Sequence, residues 1–163
     1  MGSSILYKYN NDNHSQIKGG DYMKIIYWSG TGNTEAMANL ILKGINEEGG
    51  MGELINISSK DVNSIVNEDI LILGCPSMGD EELEEGEFLP FFESIEKDLN
   101  DKKVALFGSY GWGTGEWMAR FEERVQAVGG ILPLESLIVN YLPEGEDEEK
   151  SIEYGRQIYK LSK

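Results

Sequence analysis

The sequence is poor in the groups that most reaction chemistry draws on. Of 163 residues, one is cysteine (Cys75) and one is histidine (His14). A lone cysteine excludes a disulfide framework and a multi-cysteine metal site, and it fits a reducing, cytoplasmic compartment. His14 falls within residues 1–22, a stretch rich in Asn, Ser, Gly and Tyr with no sustained hydrophobic period. That stretch is expected to be a leader or an added extension outside the fold. The body at 23–163 then holds no histidine, which removes histidine-based triads, general bases and metal sites. Cations are scarce too: 14 Lys and Arg stand against 29 Asp and Glu, for a formal net charge of -15. Lys8 and Lys18 cancel Asp12 and Asp21, so the whole excess lies in 23–163. Such a chain repels phosphate backbones and anionic membranes, which argues against nucleic acid and lipid surfaces as partners and favours basic protein surfaces. No apolar run approaches the roughly 18 residues of a membrane span. No basic-then-apolar opening marks a secretory signal.

What remains is the composition of one globular domain, with about 40% hydrophobic and 26% charged residues. From Met23 onward short apolar runs alternate with helical patterns. Strands are expected at Lys24–Trp28, Glu53–Ile57, Asp69–Gly74, Lys103–Gly108 and Ile131–Val139. Helices are expected from Thr34 to about Glu48, near Asp61–Val66, at about Phe88–Leu99, at Gly115–Val128 and at Glu146–Leu161. The run at 69–74, DILILG, is apolar without alternation, as in a strand buried on both faces of a parallel sheet. Strands alternating with helices imply an α/β three-layer sandwich, a five-stranded parallel sheet in the order 2-1-3-4-5 with helices on both faces. Pro133 cannot donate to a ladder and places the fifth strand at an edge.

The segment after the first strand reads Ser29-Gly30-Thr31-Gly32-Asn33-Thr34 and runs into a helix. Its glycines expose amide N–H groups, its short side chains add donors, and the helix N-terminus adds positive potential; together these make an anion site. A dinucleotide fingerprint needs glycine where Glu35 stands, and a Walker loop needs a Lys, yet no cation lies between Lys24 and Lys43. An anion here is held by dipoles and hydrogen bonds. The bland alternative is a Gly-rich turn with an ordinary helix start.

Ligands of open parallel sheets bind beyond the carboxyl ends of the strands at the switch point. In this order that point lies between strands one and three, so the loops after strands one, three and four matter most. The loop after strand three reads Cys75-Pro76-Ser77-Met78-Gly79-Asp80-Glu81, and the loop after strand four reads Ser109-Tyr110-Gly111-Trp112-Gly113-Thr114-Gly115. Each sets one large polarisable side chain among glycines, with Met78 and Trp112 placed to face the two sides of a flat ring. Trp28 and Trp117 suit core or helix packing. Cys75 reads as a buried small residue.

With these loops assembled, the chain resembles a flavodoxin of the short-chain, clostridial kind. The resemblance spans nearly all of 23–163 and includes SGTGNTE at 29–35, MGDEELEE at 78–85 and GSYGWGTGEWM at 108–118. It implies FMN as a non-covalent cofactor, with Ser29, Gly30, Thr31, Gly32, Asn33 and Thr34 on its phosphate. Met78 and Trp112 would enclose the isoalloxazine. Gly79 and Asp80 would form the peptide that turns its carbonyl towards ring N5, and Glu81 would bond the N3 edge. Ser109, Tyr110, Gly111 and Gly113 would line the far side and the ribityl region. Pro76 departs from the small hydroxyl residue that related chains often carry near the phosphate, and Ser77 would substitute.

The function so implied is a low-potential one-electron carrier, monomeric, serving basic-surfaced reductases and oxidoreductases and having no substrate of its own. Six acids crowd residues 80–87. They would disfavour a second electron, start a helix well, and meet basic partners. Alternatives are an FMN-dependent activating flavoprotein or small flavin reductase of the same fold, a receiver-type signalling domain, and a flavin-free interaction module. A receiver needs a phosphorylatable Asp after strand three, where Gly74-Cys75-Pro76 stands instead.

Overall fold

The computed structural model describes residues 22–58 and 68–163. Parallel strands β1 (Tyr22–Tyr27), β2 (Met51–Asn56), β3 (Ile70–Gly74), β4 (Lys103–Tyr110) and β5 (Leu137–Asn140) form one sheet in the order β2-β1-β3-β4-β5. The helices are α1 (Asn33–Glu47), α2 (Phe88–Glu96), α3 (Glu116–Ala127) and α4 (Glu146–Leu161). The expected α/β sandwich and strand order are therefore present. The helix expected near Asp61–Val66 lies outside the described residues, as does nearly all of 1–22. Tyr22 itself opens β1, opposite Met51.

The apolar pattern explains the layers. Every residue of β3 is buried, as its unbroken hydrophobic run requires at the centre of a doubly covered sheet. One face carries α2 and α3. There Phe88 and Phe92 meet Phe121 edge-to-face, with ring centroids 5.7 and 5.0 Å apart. The other face carries α1 and α4 over Ile25, Ile72 and Phe107. Trp117 is buried and donates its indole N–H to the Cys75 carbonyl at 3.1 Å, which bears out its core assignment.

The fifth strand is shorter than expected and Pro133 is not in it. Ile131 makes an isolated bridge to Lys103, and pairing resumes only at Leu137 opposite Phe107. The chain takes six residues between those points where β4 takes four, so it detaches from the ladder around a proline that could not have donated to it. The edge position of the strand stands.

Candidate functional site

Beyond the carboxyl ends of β1, β3, β4 and β5 lies a cleft of about 290 Å³. Its walls include Ser29, Gly30, Thr31, Asn33 and Thr34 from the first loop, Ser77, Met78 and Gly79 from the second, and Ser109, Tyr110, Gly111 and Trp112 from the third. Gly32, Asp80, Glu81 and Gly113 stand beside it rather than on its wall. None of the lining residues is charged.

The first loop is built to present donors. Gly32 has φ 97°, a left-handed conformation that glycine adopts without penalty, and it serves as the N-cap of α1. Ser29 Oγ accepts the Glu35 amide at 3.2 Å, and the Gly32 carbonyl accepts Ala36 N–H at 3.0 Å. Among the described residues nothing accepts from the amides of Gly30, Thr31, Gly32, Asn33 and Thr34. Thr34 is buried; its hydroxyl accepts Ser109 N–H at 3.3 Å, bracing the loop to β4. Beneath the loop, burial, with Glu35 nearby, raises the Tyr27 phenol to about 12, so it stays protonated.

The second loop is a closed turn. Met78 N–H donates to Glu82 O at 2.8 Å and Glu82 N–H returns to Met78 O at 2.9 Å. Gly79 (φ 51°) and Glu81 (φ 54°) are both left-handed within it. Glu81 is buried, and its Oε1 accepts the amides of Thr114, Gly115 and Glu116 at 2.9, 2.9 and 3.0 Å, capping α3 from outside that helix. Burial alone would raise its carboxyl. The three amides and the nearby Arg120 outweigh that and hold it below the usual carboxylate range. Oε2 has no hydrogen-bond partner among the described residues.

The acidic run, read in sequence as one crowded cluster, divides by role. Glu84 accepts the amides of Gly86, Glu87 and Phe88 at 2.6, 2.8 and 2.8 Å and so caps α2. Glu87 accepts the Trp28 indole at 3.3 Å and the Ser58 hydroxyl at 3.1 Å. Asp80, Glu82 and Glu85 point outward, exposed.

In the third loop Ser109 is buried and donates its hydroxyl to Tyr141 O at 2.7 Å, which makes it a brace of the cleft. Trp112 is 65% exposed and Met78 40%, high for such apolar side chains. Cys75 is buried, and that burial pushes its thiol well up, out of reactive range.

Three lining residues were not assigned to the site from sequence: Trp28, Pro76 and Tyr141. Trp28, expected in the core, packs on it with one side while its ring lies against Gly30. Tyr141 follows β5, whereas the switch-point argument weights only the loops after strands one, three and four. The carboxyl-end rule, applied to every strand, points to it.

Fold and cleft together define a doubly wound α/β protein with an anion-accepting slot at its switch point. The flavodoxin family pattern matches residues 25–155. The chain is 56% identical over 136 residues to the flavodoxin of Clostridium beijerinckii, covering 83% of this chain and 98% of that one. It is 43% identical over 130 residues to that of Megasphaera elsdenii, covering 80% and 94%. The solution structure of two-electron-reduced M. elsdenii flavodoxin superposes with a TM-score of 0.75 at 41% identity, over 84% of this chain and 98% of that one. The chain belongs to the flavodoxin family, and it is of the short-chain kind. It is an FMN-binding electron carrier acting with redox partners, not an enzyme.

The residues present fit FMN. A phosphate monoester needs several donors converging without acceptors, and the amides without acceptors at 30–34 provide them. A tricyclic ring needs an uncharged slot with polarisable walls, which the cleft between the second and third loops provides. Among the described residues no cluster of His, Cys, Asp and Glu suits a metal ion, and no helix is long and apolar enough to cross a membrane.

Proposed function

We propose that residues 29–34 hold the FMN phosphate through their backbone amides and short side chains. Met78 and Trp112 enclose the isoalloxazine, and Ser77, Tyr110, Gly111 and Gly113 border the ring and ribityl region, with Ser109 bracing them. The single observation that carries this is the row of amides at 30–34 with no acceptor among the described residues, beside the cleft that Met78 and Trp112 wall. When bound, FMN supplies one-electron redox chemistry in two successive steps. The protein sets the energies of those steps. The peptide between Gly79 and Asp80 would turn its carbonyl towards the ring edge, which the backbone freedom of Gly79, already at φ 51°, permits. Glu81 keeps Oε1 on α3 and offers Oε2 to the N3 edge. The uncharged wall and the outward acids Asp80, Glu82 and Glu85 disfavour added negative charge, which makes the second step low in potential.

The protein works as a cytoplasmic monomer whose partners present basic surfaces. Potentiometric titration of the FMN-loaded protein tests the carrier reading. Two separated one-electron steps are expected, the second well below the first. A single two-electron step with rapid direct oxidation of NAD(P)H would overturn it in favour of a reductase.

A further inference from the structure

We infer that Asn140, at the end of the edge strand β5, is a positioning residue for Trp112. This rests on the proposal that Trp112 stacks on the ring. Trp112 makes no hydrogen bond, ion pair or ring contact of its own among the described residues, and it is 65% exposed. Its place is therefore set by the backbone that carries it. That backbone runs through Gly111, Gly113 and Gly115, the last two in left-handed conformations, and glycine contributes little stiffness. The loop must be held from outside, and it is held at both ends.

On the far end, Glu81 Oε1 takes the amides of Thr114, Gly115 and Glu116. On the near end, Asn140 Nδ2 donates to Tyr110 O at 3.1 Å and to Gly111 O at 2.8 Å. Both partners are carbonyl oxygens, so only a donor can stand there; aspartate or leucine of the same shape cannot replace it. The next residue tightens the clamp. Tyr141 N–H donates to Tyr110 O at 2.9 Å, and Ser109 Oγ donates to Tyr141 O at 2.7 Å. Tyr141 has φ 60°, unusual for a residue with a side chain, and its ring lies over Gly111 on the cleft wall. The short β5 thus ends where its side chains can fasten a neighbouring loop.

The test is Asn140→Leu, which keeps shape and adds no charge, crossed with Trp112→Ala in a double-mutant cycle. Three quantities are read: hydrogen exchange of residues 110–113 in the cofactor-free protein, the FMN dissociation constant, and the separation between the two reduction potentials. Asn140→Leu is expected to speed exchange at 110–113, to raise the dissociation constant about fivefold, and to change the separation of the potentials. The binding and potential effects should vanish when Trp112 is already alanine. Potentials unchanged by Asn140→Leu, or changed equally in both backgrounds, would overturn the inference. If Trp112→Ala alone moves neither binding nor potential, the stacking proposal fails instead. Asn140→Ser, which retains a donor, supplies a second variant and should fall between Leu and wild type.

Discussion

Glu81 combines two features that rarely occur together: a left-handed backbone at a non-glycine residue and a buried carboxylate. Three amides from another element hold both in place. Because its carboxyl is held below the ordinary range, its contribution to stability is complete above the unfolded value of about 4.3 and is lost as pH falls through the depressed folded value. Glu81→Gln should flatten the acid limb of the stability-against-pH curve, measured by urea unfolding at a series of pH values. An unaltered acid limb would show that the carboxylate is not coupled to folding. Gly79 makes a separate prediction. A Cβ there meets no neighbour, so Gly79→Ala costs mainly the left-handed backbone, about 1–2 kcal/mol. Because that cost depends on which way the 79–80 peptide faces, it should fall unevenly on the redox states. The first reduction potential should move by roughly 60 mV or more, the one-electron equivalent of about 1.4 kcal/mol, with a smaller loss of oxidised FMN affinity. An unmoved first potential would refute the turning peptide.

Helices α1 and α4 cross closely because each supplies a glycine where the other's backbone passes. A Cβ at Gly44 would overlap the Ile152 carbonyl, and one at Gly155 would overlap the Ile41 carbonyl. Gly44→Ala or Gly155→Ala should each destabilise the fold by roughly 1–3 kcal/mol through overpacking, although alanine is the better helix former. Denaturant unfolding checks it; a neutral or stabilising result would mean the helices can separate without loss. At this level the sequence was largely legible. The unbroken apolar run at β3 and the spaced apolar faces of α1, α3 and α4 encode burial directly, and each described element other than β5 lies within a few residues of its expected place. The fifth strand was misjudged because Ile131 and Leu132 look like strand residues. Whether they join a ladder depends on β4, and that pairing is not local.

In the whole molecule, opposite demands meet at one surface. Amides that have no acceptor among the described residues flank the cleft and suit an anion, while a chain of formal charge -15 surrounds it. The first acts over hydrogen-bond distance and the second over a Debye length of about 8 Å or more at physiological salt. Reduction by a basic partner should therefore slow as ionic strength rises, whereas FMN binding should be less affected; salt-independent reduction would count against docking through the acids. The donors, the cleft-lining Met78 and Trp112 and the acids could be read from sequence because glycine-rich loops after strands announce themselves. The bracing by Glu81, Glu84 and Asn140 could not, since each acts on a backbone distant in sequence or shape. Calorimetric titration of the cofactor-free protein with FMN and with riboflavin isolates the phosphate cradle. FMN is expected to bind at least about 100-fold more tightly, or about 2.7 kcal/mol. Equal affinities, or no binding of either flavin by folded protein, would contradict a phosphate held by uncharged donors at 29–34.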